Sequence, residues 1–339
     1  MKLFNSYTDS ETLKLNLVFD RLPFSFNPVF SDVLAKQRIG QFHLIETQDG
    51  EIVFPVILRK GKILKFLEFL NPPLRKNGEV IDMDKEREIL DQFVSFLTAE
   101  KIADRVLQPL NWCLFQSYPK GSTYASFGTY RLNLKKKTEE IFAGLHAKHR
   151  NVIRNAESKA ASIVVGTDAF EDFYKLYVET MNRSEMSAEP KWYFLGLLQK
   201  YSTNIFCGLV SHNSVPQGAV FVPFTKSGAY YVYGASAGNI SLTGAVNYLH
   251  YEMMRHFQAI GVGYYDMVGA RLSDVTGTKL EGIQKFKSRF GGELIKGFLW
   301  KMDINKTKCK IFDTALFAKQ KMKGKKMPLD IIDQERKKN

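Results

Sequence analysis

The chain is poor in cysteine and has no long apolar run, and each absence bounds what it does. Three cysteines, Cys113, Cys207 and Cys309, stand far apart in 339 residues. They fit no zinc spacing and cannot all pair, so they read as reduced bystanders. No stretch approaches the roughly 20 consecutive apolar residues needed to span a bilayer, which predicts a soluble chain. The opening MKLFNSYTDSETLKLN lacks an apolar segment followed by a small-residue cleavage site, so no secretory signal is read there and a cytoplasmic location is expected. Six scattered histidines offer no ligand spacing and there is no nucleophile elbow, so neither a metal centre nor a covalent serine nucleophile is expected.

What is present is a chain long enough for two domains, with 45% hydrophobic and 13% aromatic residues to fill their cores. The formal charge of +13 implies an anionic partner: tRNA, a diphosphate nucleotide or an anionic membrane surface. That charge is uneven. From Lys296 to Asn339 there are 13 Lys or Arg against 5 Asp or Glu, a net +8. This basic stretch, residues 301–339, reads as a partly helical tail, either solvated and partly frayed or contacting an anion.

An order of elements recurs. In the first copy EIVFPVIL (51–58) and ILKFLEFL (63–70) flank the Lys60-Gly61 turn as a hairpin. A helix over 84–100 follows, with Ile89, Phe93 and Leu97 on one face, and the strand ADRVLQPL (103–110) closes the unit. In the second copy GAVFVPFT (218–225) and AYYVYGAS (229–236) flank Lys226-Ser227-Gly228 as another hairpin. The loop AGNISLTG then leads into a helix over 245–259 with Leu249, Met253 and Phe257 on one face, and the strand GYYDMV follows. Strand, turn, strand, loop, helix, strand is the central portion of the GNAT acyltransferase fold. Finding it twice predicts an α/β chain of two fused GNAT-like lobes, residues 1–137 and 138–300, with mixed central sheets flanked by helices. Between them Thr138 to Ala161 reads as one long helix, and further helices are expected over 168–181 and 191–201 with a strand at SIVVG.

The runs KHRNVIRNAESKA (148–160), GAVFVPFTKSGAYYVYGAS, LHYEMMRHFQAIGVGYYDMVG and GIQKFKSRFGGEL (282–294), in this order over residues 138–300, resemble the Fem-type (FemAB) peptidyltransferases and the wider GNAT group around them. The resemblance implies an aminoacyltransferase with no bound cofactor. It implies aminoacyl-tRNA as co-substrate and a uridine-diphosphate- or lipid-linked muropeptide as acceptor, with contact at the inner face of the membrane. Two features depart from the family pattern. The coiled-coil arm of longer members is missing, and the loop 183–191 carries Glu185 and Glu189 where a more basic surface is expected. An acyl-CoA-dependent N-acyltransferase acting on a sugar or amino-acid amine is the alternative. Against it, AGNISLTGAV has Gly238 and Gly244 but neither the basic residue nor the spacing of a pyrophosphate-binding turn.

Attack of an amine on an ester needs a deprotonated amine, an oxyanion stabiliser and positive charge for phosphates. On a helix over 280–290, Ile283, Phe286 and Phe290 mark the apolar face, and Lys287 lies roughly 70° from its centre at about 100° per residue, whereas Lys285 points away. Lys287 occupies the lysine position of the family's FK…FGG run, which implies substrate contact and stabilisation of developing charge. A lysine snorkelling at the edge of a packed face is the alternative reading. Asp266 is the second catalytic candidate, placed by alternation on the same side as Tyr264 to orient or deprotonate the acceptor amine, or else capping a neighbouring backbone. Candidate substrate contacts are Lys285 and Phe286 in the same run, Arg150 and Arg154 on the connecting helix, and Tyr193, Tyr231, Tyr233 and Tyr265 as stacking faces and hydroxyls.

Overall fold

The computed structural model describes residues 4–15, 17–324 and 329–338. The chain opens with β1 (Phe4–Tyr7), α1 (Asp9–Thr12) and α2 (Pro28–Gln37), then β2 (Gln41–Thr47), β3 (Ile52–Lys60), β4 (Lys65–Phe69), β5 (Leu74–Arg75), α3 (Met83–Ala99) and β6 (Arg105–Val106). The long strand β7 (Thr123–Asn133) leads into α4 (Thr138–Gly144), α5 (Ala147–Ser158), β8 (Ser162–Val165), α6 (Phe170–Arg183) and α7 (Lys191–Tyr201). The remainder is β9 (Ile205–His212), β10 (Val215–Pro223), β11 (Ala229–Tyr230), β12 (Tyr233–Ser236), α8 (Ala245–Ala259), β13 (Tyr264–Asp266), β14 (Ala270–Arg271), α9 (Lys279–Ser288), β15 (Glu293–Asp303), α10 (Lys306–Met322) and α11 (Ile331–Arg336).

Helices form where apolar spacing and caps agree. Asp82 caps α3 by accepting from Lys85 N at 2.8 Å, and the helix buries Ile89, Phe93 and Leu97, as their spacing predicts. Helix α8 spans the predicted 245–259 and buries Leu249, Met253 and Phe257. In both copies of the repeat the helix joins two parallel strands, β4 to β6 and β11 to β13, and the other strand pairings among the described residues are antiparallel. The result is the expected mixed α/β architecture, with one large sheet and a second sheet in the order β12-β10-β9-β8.

Three sequence expectations about single elements change. The hairpin expected at 229–236 is split: β11 pairs with β13 in the large sheet, and β12 pairs with β10 in the small one. The helix expected over 138–161 breaks at Leu145, which is extended, and His146 starts α5 by accepting from Lys148 N at 3.2 Å. The break docks the loop after α9, because His146 N donates to Arg289 O at 2.9 Å, and a Cβ on Gly291 would overlap the Gly144 carbonyl. The strand expected at 103–110 shrinks to Arg105–Val106, since only Met302 and Asp303 of β15 reach it on that side.

The described parts of the tail, residues 301–324 and 329–338, are docked on the body. Arg105 forks between Asp303 (2.6 and 3.2 Å) and Asp313 (2.8 and 2.7 Å), holding α10, while Arg271–Glu335 at 2.8 Å and buried Ile332 hold α11. Strand β15 pairs with β7 over Glu293–Lys301 and with β6 over Met302–Asp303, so one continuous sheet crosses the expected division at residue 137.

Candidate functional site

The split strand creates the site. At Tyr230 the chain still lies beside Asp266, and Tyr231 N donates to Asp266 O at 2.8 Å; by Tyr233 it has crossed to Phe221 of the other sheet. Two strands that part in this way leave main-chain groups without a ladder partner, and these must find other partners. Beyond Asp266 the chain turns through Val268 at φ 47° and Gly269 at φ 78°. A left-handed conformation at a β-branched residue is a backbone outlier of the kind that persists only where its surroundings impose it.

The surroundings here are two side chains. Asp266 is 2% exposed, and its carboxylate accepts from Val268 N at 2.9 Å, Thr129 Oγ1 at 2.5 Å, and Arg131 Nε and Nη2 at 3.1 and 3.0 Å. Arg131 in turn lies over the Tyr264 ring, 4.4 Å from its centroid. On the other side Lys287, carried by α9, donates from Nζ to the Val268 carbonyl and to the Gly269 carbonyl at 3.0 Å. Burial pushes the Lys287 pKa down to about 8, against the pull of Asp266. Among the described residues its third N–H has no partner.

Two imidazoles, His250 and His149, pack on Phe286, the residue before Lys287 on α9. His250 Nδ1 pairs with the Tyr265 hydroxyl at 2.9 Å, while its Nε2 is buried and unpartnered among the described residues. Burial, His149 and Lys287 lower the His250 pKa to about 3, and burial lowers that of His149 to about 4. Phe286 lies between them, its ring centroid 5.6 Å from His149 and 5.3 Å from His250. The Tyr231 ring also packs on His250, at 4.5 Å.

The predicted residues therefore separate into groups. Lys287, Asp266, Phe286, Tyr231 and Tyr265 surround the parted strands. Tyr233 and Tyr193 are joined hydroxyl to hydroxyl at 3.0 Å in the aromatic core beneath α6 and α7. Lys285 is exposed and pairs with Glu281 on its own helix. Arg150 caps the end of α4 through the carbonyls of Ala143 (3.0 Å) and Leu145, and Arg154 lies over Phe142 at 5.1 Å. Both arginines line a cavity of about 430 Å³ with Thr138 and Tyr251, which Lys287 does not line. The start of α8 is crowded by α5: a Cβ on Gly244 would overlap the Val152 carbonyl oxygen, and Asn155 Nδ2 donates to Thr243 O at 3.1 Å.

Residues 115–216 match the FemAB family. The FemAB match begins inside the lobe expected to end at residue 137 and stops in β10, so it includes Arg131, Arg150, Arg154 and Tyr193 but not Asp266 or Lys287. The fold is similar to that of the crystal structure of FemX, at TM-score 0.66 and 12% identity over 91% of this chain and 99% of that one. It is also similar to the C-terminal domain of a protein designated a lysylphosphatidylglycerol synthetase from Agrobacterium fabrum (TM-score 0.53, 12% identity, 91% and 98% covered). A conserved protein of unknown function from Bacteroides thetaiotaomicron is similar as well (TM-score 0.53, 13% identity, 89% and 99% covered). No curated protein sequence matches the chain. Among the described residues no helix is long and apolar enough to cross a membrane.

Sequence reasoning missed Thr129, Arg131 and His250. The first two alternate on β7 and point to one side, which the run YASFGTYRLN signals, but their partner Asp266 lies more than 130 residues away. His250 lies one residue after Leu249 of the α8 apolar face, and only its buried surroundings set it apart.

Proposed function

We propose that the chain is a Fem-like aminoacyltransferase that moves an amino acid from charged tRNA onto the stem-peptide amine of a muropeptide precursor. The observation that carries this reading is the Lys287 ammonium, anchored on the two carbonyls of the strained turn and left with one N–H to give. The FemAB match over residues 115–216 and the FemX-like fold support the reaction class.

In this reaction the acceptor nitrogen attacks the carbonyl carbon of the aminoacyl ester. The carbonyl oxygen gains charge, the ester C–O bond breaks, the tRNA hydroxyl leaves, and the nitrogen loses a proton as the amide forms. Lys287 donates its remaining N–H to the developing oxyanion. A group pre-positioned in this way is worth about 3 kcal/mol or more in a desolvated site. Asp266, with its oxygens taken by four donors, acts as a positioning residue that fixes the Val268 peptide and so aims Lys287. Of the two readings its strand position offers, a base for the amine or a cap on neighbouring backbone, the four donors on its carboxylate support the cap. The acceptor amine loses its proton to solvent or to the departing oxygen. The loop before α8 lacks the basic residue and the glycine spacing of a pyrophosphate-binding turn, which supports a charged tRNA over coenzyme A.

The test is a transfer assay read by mass spectrometry, offering uridine-diphosphate muropeptide with a pool of charged tRNAs and, in parallel, amines with acyl-CoA donors. A tRNA-dependent aminoacyl mass that disappears with Lys287→Met is the expected result. A coenzyme A-dependent acyl mass assigns the chain instead to the N-acyltransferases.

A further inference from the structure

Helix α10 has two apolar faces. Cys309, Phe312, Leu316 and Gln320 face the body, and Cys309 is fully buried. Ile311, Ala315, Ala318 and Met322 repeat at i, i+4, i+7 and i+11 on the opposite side, forming a stripe within about 60° of arc at 100° per residue. All four are exposed, Ile311 at 60% and Met322 at 82%. Lys308 and Lys319 border the stripe on one edge, and Lys310 and Lys321 on the other.

Ala315 also lines a groove of about 560 Å³ between α10 and the β3–β4 turn. Its floor is Phe66, Phe312 and Leu316, and its lips are Ile39 and Ile63, which are 85% and 52% exposed. Arg59, Lys60, Lys62 and Lys319 rim it. Of these basic residues only Lys308 has a carboxylate partner among the described residues, Asp104 at 3.2 Å. One face of the molecule thus presents isoleucine and methionine side chains in a field of unpaired cations.

We propose that this face, α10 with the β3–β4 turn and Ile39, seats the protein on an anionic phospholipid bilayer. The apolar stripe and groove lips enter the headgroup boundary and the lysines meet the lipid phosphates. The inference does not rest on the proposed reaction. A bilayer fits better than RNA because the protruding groups are mostly aliphatic, which insert among acyl chains, whereas single-stranded nucleic acid selects aromatic stacking platforms. The docking of α10 through Arg105 and Asp313 holds the stripe fixed relative to the groove, with which it shares Ala315.

The experiment is sedimentation of the full chain with vesicles of phosphatidylcholine alone and of equal parts phosphatidylcholine and phosphatidylglycerol, at low and high salt. Wild type is expected to sediment with the anionic vesicles only, and less so at high salt. The variant Ile311→Asp with Met322→Asp, at positions 60% and 82% exposed in the fold, is expected to lose at least about tenfold in vesicle partition while staying close to the wild-type melting temperature. Reversing Lys310 and Lys321 to Glu is expected to lower partition by a similar factor on anionic vesicles. Equal sedimentation with and without vesicles, or an aspartate variant that binds vesicles like wild type, overturns the proposal. So does a gel shift in which the aspartate variant loses affinity for tRNA while its vesicle binding is unchanged.

Discussion

Val268 holds φ at 47° and gives its carbonyl oxygen to the Lys287 ammonium, so a strained peptide and a desolvated cation stabilise one another at the point where two sheets part. The turn needs a donor for its two free carbonyls, and the ammonium needs acceptors away from water.

Lys287→Met is expected to separate stability from activity. Because the folded-state pKa is lowered to about 8 from 10.5, the unfolded chain binds more protons between those values, and wild-type stability rises with pH across that window. Below it the buried charge opposes folding while its hydrogen bonds to the Val268 and Gly269 carbonyls favour it, so the two effects offset and the methionine variant is expected to melt within a few degrees of wild type at neutral pH while transfer falls at least about a hundredfold. In wild type the rate is expected to fall as pH rises through about 8, since the acting form is the ammonium. Melting curves and a pH–rate profile check both.

Asp266→Asn leaves Arg131 without its charge partner and turns one acceptor into a donor facing donors. A loss of roughly 3 kcal/mol is expected by urea titration. Adding Arg131→Met is expected to cost less than the sum of the two single changes, and a double-mutant cycle with additive values would exclude the coupling.

His250→Phe removes the partner of the Tyr265 hydroxyl and is destabilising at neutral pH. It also removes a group that is neutral in the fold, with its pKa lowered to about 3, but protonates near 6.5 when unfolded. Stability contributed by neutral His250 is present above 6.5 and is lost as pH falls toward 3. The gap between wild type and variant is therefore expected to narrow by about 1.4 kcal/mol per pH unit below 6.5.

Gly244→Ala puts a methyl into the Val152 carbonyl at a position whose φ is 94°. Strain and overlap together predict a loss of at least about 2 kcal/mol, read as a lower melting temperature. Gly282→Ala, with nothing within 4 Å of the added atom, is the control expected to stay near wild type or above.

Periodicity made much of this fold legible. The helices α3, α7 and α8 lie within one residue of the expected spans, because an apolar stripe after an aspartate cap, a proline or a glycine is local information. Lys287 was legible as the basic residue nearest the apolar face of its helix. The strand 229–236 reads as one continuous β-run, and nothing local marks that it changes sheets at Tyr231. The helix over 138–161 likewise carries an unbroken stripe, and only the docking of Arg289–Gly291 against Gly144 breaks it.

By itself the sequence determined the α/β order, its repetition and the basic charge of its last stretch, since these depend on residue type and spacing. Tertiary structure decided that β15 joins both halves, that Asp266 is held by Thr129 and Arg131, and that the basic stretch is a docked helix with an outward apolar face. Each of those depends on contacts between residues far apart in the chain, and such pairings are fixed by the packing of the whole rather than by any local preference.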